Sequence, residues 1–131
     1  MKKMVKKHAL SHTELRVLHD TSQYTLSGGS QCTVVRRKGA SSYLAFIHME
    51  PTGRYPEMGN VARNFNRTEY IYVNRGSADI HLNNQFIQMQ EGDSIFIDNG
   101  DIYALTAHDA GIDCTVLVTD GTNAESVIMQ V

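Results

Sequence analysis

Several things are scarce in this chain, and each scarcity removes a class of protein. No apolar run approaches the roughly 20 residues that a membrane-spanning helix needs. The basic start MKKMVKKHALSHTEL is not followed by the apolar stretch of a secretory signal. A cytoplasmic location with no membrane partner is therefore expected. The two prolines and ten glycines are too few for a low-complexity chain. The two cysteines, Cys32 and Cys114, stand 82 residues apart and show no C-x-x-C pairing of the kind that holds a metal. Each falls in a strand-like run, QCTVV or DCTVLV, which predicts buried thiols rather than a disulfide. Also missing are G-x-S-x-G, G-x-x-x-x-G-K-[ST], H-E-x-x-H and any glycine-rich loop entering a helix. Neither cysteine has a neighbouring histidine in sequence to make it a nucleophile.

Excess positive charge is confined to the start. The formal net charge is −2, of which Lys2, Lys3, Lys6 and Lys7 contribute +4, so residues 8–131 carry −6. A mildly acidic body excludes nucleic-acid binding through a basic face. Residues 1–10 read as a solvated basic tail. Residues 11–131 fit one domain, long enough to bury a core.

What the chain does have is a period of two. SSYLAFIHME (41–50), TEYIYVN (68–74), SADIHLN (77–83), QFIQMQ (85–90), SIFID (94–98), IYALTA (102–107) and DCTVLVT (113–119) are short β-branched or aromatic runs. Turn formers separate them: PTG, NRG, LNNQ, EGD, DNGD, HDAG and TDGTN. QCTVVRR (31–37) and QYTL (23–26) add strands near the start, and SVIMQV is apolar enough for a last one. Ser11-His12-Thr13-Glu14 matches a capping box, so ELRVLHD reads as either a helical turn or a strand. Many short strands at this spacing predict an all-β protein, a small antiparallel β-barrel or sandwich.

One stretch carries chemistry: GNVARNFNRTEYIYVNRG, residues 59–76. On a regular strand Asn64 and Asn66 point the same way, and Glu69 opens the next run. If that face is the barrel interior, two carboxamides and a carboxylate converge in an apolar cavity. Further on, Gly92, Asp98-Asn99-Gly100 and Tyr103 supply a second half.

Together the two stretches resemble the cupin superfamily, a jelly-roll or double-stranded β-helix barrel. Its first motif is G-x5-H-x-H-x3-4-E-x6-G and its second is G-x5-P-x-G-x2-H-x3-N. Asn64 and Asn66 fall on the two histidines of the first motif, and Glu69 and Gly76 on its glutamate and second glycine. Gly59 approximates the leading glycine. Two residues rather than three or four separate Asn66 from Glu69. In the second motif Gly92 and Gly100 match, while Asp98, Tyr103 and Ala107 replace the proline, histidine and asparagine. The resemblance covers roughly residues 43–119. It implies a metal held by three histidines and a glutamate, but carboxamides and a phenol suit a transition metal poorly. No metal and no other cofactor is therefore expected.

What remains is a polar cluster of Asn64, Asn66, Glu69 and Tyr103. Either these groups form a hydrogen-bonded plug, or they bind a small polar, carbohydrate-like molecule, as the resemblance also implies. The alternative is an isomerase, epimerase or lyase on a sugar or small acid, using Glu69 with Tyr103 or His48 as acid and base. Arg54 and Tyr55, in TGRYPE, would rim the barrel mouth and help bind the ligand. His81 is expected to face solvent, and His8, His12, His19 and His108 are assigned no role. An open barrel edge can pair with a second copy, and cupins are often dimers, so a homodimer stays open.

Overall fold

The computed structural model of the protein describes residues 19–25, 30–37 and 39–130. The basic tail over residues 1–10 and the capping box at Ser11–Glu14 lie outside the described residues.

The described chain is made of strands alone: β1 (His19–Thr25), β2 (Gln31–Arg37), β3 (Tyr43–Met49), β4 (Arg54–Tyr55), β5 (Asn60–Leu82), β6 (Gln85–Gln90), β7 (Ser94–Ile97) and β8 (Ile102–Gln130). All pairings are antiparallel. The sheet runs in the order β1-β2-β3-β8-β5-β6, with β4 added to β8 and β7 to β5. It does not close into a continuous hydrogen-bonded ring; it folds over on itself, and the all-β expectation is met in this jelly-roll form.

The alternation read from sequence sorts the side chains. Ala45 and Met49 of β3, Ile71 and Val73 of β5, and Cys114, Val116 and Val118 of β8 point inward and form one core with Ile80, Ile97 and Ile112. Their intervening neighbours point out. On the outer face Leu44 pairs with Leu117, Leu117 with Tyr70, and Tyr70 with Phe96, a row crossing four strands. The Tyr70 and Phe96 rings meet at 4.6 Å, a cross-strand contact that stabilises the sheet from outside.

The structure departs from the sequence reading in how many strands it makes. The turns expected at NRG, HDAG and TDGTN do not end strands. The runs on either side of NRG belong to the single strand β5, and the last three runs to β8. These two long strands pair from Asn60↔Gln130 to Leu82↔Tyr103, with register shifts at Phe65/Arg67, Val73/Arg75 and Gly76/Ala78. Bulges let a strand bend without being cut. One of these bulges requires glycine: Gly76 has φ +79, and a Cβ there would lie 2.1 Å from the Gly111 carbonyl oxygen. By contrast, the hairpin from β5 to β6 at Asn83–Asn84 is a true two-residue turn, with Asn83 left-handed at φ 54.

Candidate functional site

The bulge between Phe65 and Arg67 decides what faces the interior. Asn66 sits at its centre with φ 52, a left-handed conformation that asparagine tolerates better than most residues. One extra residue inverts the alternation. Before it, Ala62 and Asn64 are buried; after it, Glu69, Ile71 and Val73 are. The expectation that Asn64 and Asn66 point together into one cavity is corrected accordingly. Asn64 is fully buried but does not line the interior cavity. Its backbone is clasped by the 99–101 turn: its N–H donates to the Asp101 carbonyl at 3.2 Å and its own carbonyl accepts from Gly100 at 2.8 Å. The Asn66 side chain is exposed, donating to the Thr122 carbonyl at 2.8 Å, while the Asn66 N–H donates to Asn99 Oδ1 at 2.7 Å. It lines an outer groove with Arg67, Thr68, Asn99 and Asp120.

The interior cavity holds about 120 Å³. Its walls are apolar, built from Met49, Ile71, Leu105, Val116 and Val118, and its polar groups are Tyr43, Tyr55, Arg67, Glu69 and Tyr103 with the Cys32 thiol. Glu69 is only 5% exposed. A buried carboxylate needs partners, and among the described residues it has two. Arg67 Nε lies 3.4 Å from Glu69 Oε2, and the Tyr103 hydroxyl donates to the same carboxylate at 3.2 Å. The guanidinium also stands over the Tyr43 ring, 5.8 Å from its centroid. The Tyr55 ring lies beside that of Tyr103, with centroids 6.3 Å apart.

The electrostatics fix the protonation of the phenols. Burial, and then the Glu69 charge, push the Tyr103 hydroxyl well above the ordinary phenol range. The same two causes raise Tyr55. Burial raises Tyr43 as well, against the opposing charge of Arg67. All three therefore remain neutral O–H donors at physiological pH. Burial works against the Arg67 charge, but Glu69, Tyr43, Tyr103 and Asp120 together outweigh it and hold the guanidinium protonated. The cavity head is thus an ion pair ringed by phenol hydroxyls.

That donor set does not suit a cupin-type transition metal. Among the described residues no histidine lines the cavity, and the one carboxylate among them already faces a guanidinium, whereas such metals favour imidazole ligands.

The remaining expected residues lie elsewhere. His48 shares the outer face of β3 with Leu44 and Phe46, because Tyr43, Ala45, Ile47 and Met49 take the inner one. It meets Asp113 Oδ1 at 2.5 Å and Glu50 Oε1 at 3.4 Å, so it is placed away from Glu69 as a proton-transfer partner. Arg54 does not reach into the cavity; its Nη1 donates to the carbonyls of Pro56, Glu57 and Asn60 and pins that loop. Tyr55 and Tyr103 do line the cavity with Glu69. The sequence reading overlooked Arg67. Its signal was present, since it stands two residues before Glu69 and so shares its face.

No family model and no curated protein matches the sequence. Solved structures do match in fold. The cupin domain of Schizosaccharomyces pombe Cnp3 is 11% identical over 76% of this chain and 70% of its own, with a TM-score of 0.64. A cupin 2 conserved barrel domain protein from Rhodopseudomonas palustris is 10% identical over 83% and 76%, also with a TM-score of 0.64. A sugar phosphate isomerase of the cupin superfamily from Silicibacter pomeroyi is 14% identical over 76% and 66%, with a TM-score of 0.63. The chain has the cupin fold.

Proposed function

We propose that the interior of this cupin-fold barrel binds one small, hydroxyl-bearing molecule of carbohydrate-like chemistry without a metal. The observation that carries this reading is the Arg67–Glu69–Tyr103 cluster at the head of an otherwise apolar cavity. Such a head offers a carboxylate acceptor, guanidinium donors and phenol O–H groups, which together complement vicinal hydroxyls. The aliphatic walls suit the C–H face of the same molecule and keep water from competing with its hydrogen bonds. Size narrows the class. A cavity of about 150 Å³ accommodates benzene, so about 120 Å³ suits a short polyol or hydroxy acid rather than an oligosaccharide. The shared fold of the Silicibacter pomeroyi sugar phosphate isomerase is compatible with a ligand of this kind.

A thermal-shift series over short polyols, hydroxy acids, monosaccharides and sugar phosphates tests the reading. At a hundredfold excess over Kd a ligand adds about 2.7 kcal/mol of stability, a rise of several degrees. One class should produce that rise, and Glu69→Gln should remove it. A flat response to every class sinks the proposal.

A second reading is supported by the direct Tyr103–Glu69 hydrogen bond: the pair could exchange a proton with a bound substrate as an isomerase or lyase does. Under it, Glu69→Gln abolishes turnover of whichever ligand class stabilises the protein while the fold survives. Unchanged turnover excludes Glu69 as the base.

A further inference from the structure

A second polar constellation lies outside the barrel interior, where β6, β5 and β8 run side by side. Ser77 and Asp79 are two apart on β5 and share a face. His108 follows Ala107, the partner of Ala78, so its ring enters between them. Ser77 Oγ and His108 Nδ1 are 2.8 Å apart, and His108 Nε2 is 2.9 Å from Asp79 Oδ1. With the imidazole neutral and its proton on Nε2, that proton is donated to Asp79. Nδ1 is then free to accept the Ser77 hydroxyl. Hydroxyl, base and orienting carboxylate stand in one line, the arrangement that activates a serine whatever the fold or chain order. Ser77 and His108 also line a cavity of about 190 Å³ together with Gln88 and Gln90. In register, Gln90 lies opposite Ser77 and Gln88 opposite Asp79.

We propose that this is an acyl-transfer site, in which Ser77 is the nucleophile, His108 its base, and Asp79 the positioning residue for the His108 ring, and that it hydrolyses small carboxylic esters. The substrate class follows from the lining. Among the described residues no arginine or lysine borders the cavity, so a phosphoryl group would find no cation there. The neutral carboxamides of Gln88 and Gln90 can instead donate to the oxyanion of a carbonyl addition. The volume limits the acyl group to a short one.

The step balances without a redox partner. Ser77 Oγ bonds to the ester carbonyl carbon while its proton passes to His108 Nδ1, and the carbonyl electron pair moves onto oxygen. When that pair returns, the bond to the alcohol oxygen breaks and the alcohol departs with the Nδ1 proton. Water then attacks the acyl-serine, leaves a proton on Nδ1, and the acid is released as Ser77 Oγ takes the proton back.

The test uses the full chain with p-nitrophenyl acetate and, separately, a fluorophosphonate label located by peptide mass spectrometry. Label on Ser77 and ester hydrolysis that falls about 10²-fold or more in Ser77→Ala are expected. Asp79→Asn should lower kcat at least tenfold with KM unchanged, a split that mere loss of structural support would not give. Ser94→Ala, an exposed serine on another strand, should change nothing. Labelling is read on the unmutated chain, so it decides the matter even if a variant does not fold. Absence of label at Ser77, or hydrolysis equal in Ser77→Ala and the parent, overturns the proposal.

Discussion

The Tyr103 hydroxyl donates to the Glu69 carboxylate at 3.2 Å, joining residues 34 apart in sequence inside the core. Burial keeps the phenol protonated, so it stays a donor to the carboxylate over the whole physiological range. Two strands, β5 and β8, are locked together at that point by a charge-assisted bond rather than by packing alone.

Tyr103→Phe removes the donor and leaves its shape. A hydrogen bond to a charged group contributes about 1.5–3 kcal/mol, and a loss of that order should appear in urea denaturation at constant m-value. Affinity for the interior ligand should fall as well. A variant as stable as the parent would show that Glu69 does not depend on this hydroxyl.

Asn66 tests the bulge. Its left-handed backbone costs a β-branched residue about 1–2 kcal/mol more than glycine. Asn66→Val should therefore be less stable than Asn66→Gly by that amount, since both lose the same side-chain bond to Thr122. Equal stability of the two variants would mean that the bulge relaxes.

His48 should titrate above its ordinary value near 6.5. Its hydrogen bond to Asp113 raises it, outweighing the small cost of burial. On the other side of the pair, burial pushes Asp113 up but the bonds from His48 and Arg75 pull it below the usual carboxylate value. The folded His48 binds its proton more tightly than the unfolded chain does. The stability it contributes is thus fully present below about pH 6.5 and is lost as pH rises through the folded value. NMR titration of the ring should show a raised midpoint that falls in Asp113→Asn. A midpoint unaffected by that change would remove Asp113 as the cause.

Cys114 is 2% exposed, and burial, then the Asp113 charge, push its thiol up to about 12. Thiolate is the reactive form, so Ellman's reagent should leave Cys114 unmodified in the native protein and react with both cysteines after unfolding. Rapid native modification of Cys114 would contradict its burial.

Much of the architecture was legible because β-branched and aromatic residues recur every second position between turn formers. Ile71, Val73, Val116 and Val118 could be placed in a core on that ground alone. What periodicity could not reveal is a change of parity. A single left-handed residue, Asn66, exchanged one face for the other, turning Asn66 out and away from the face that Arg67 and Glu69 share. Likewise NRG and HDAG look like strand ends, yet Gly76 and Gly111 use the same backbone freedom to bend strands that continue. In sequence His108 stands in the turn-like run HDAG and carries no signal of a role; only the β5–β8 register sets it between Ser77 and Asp79.

By itself, then, the sequence determined the all-β class, the inward aliphatic residues and the pairing of a carboxylate with a phenol as the place to look. Those depend on composition and a period of two, which are local properties. Tertiary structure alone decided that Asn66 turns away from the interior face, that His48 faces out and that a serine, a histidine and an aspartate align outside the barrel. Each of these depends on bulges and on register between strands far apart in sequence, where a shift of one residue turns every side chain to the opposite face.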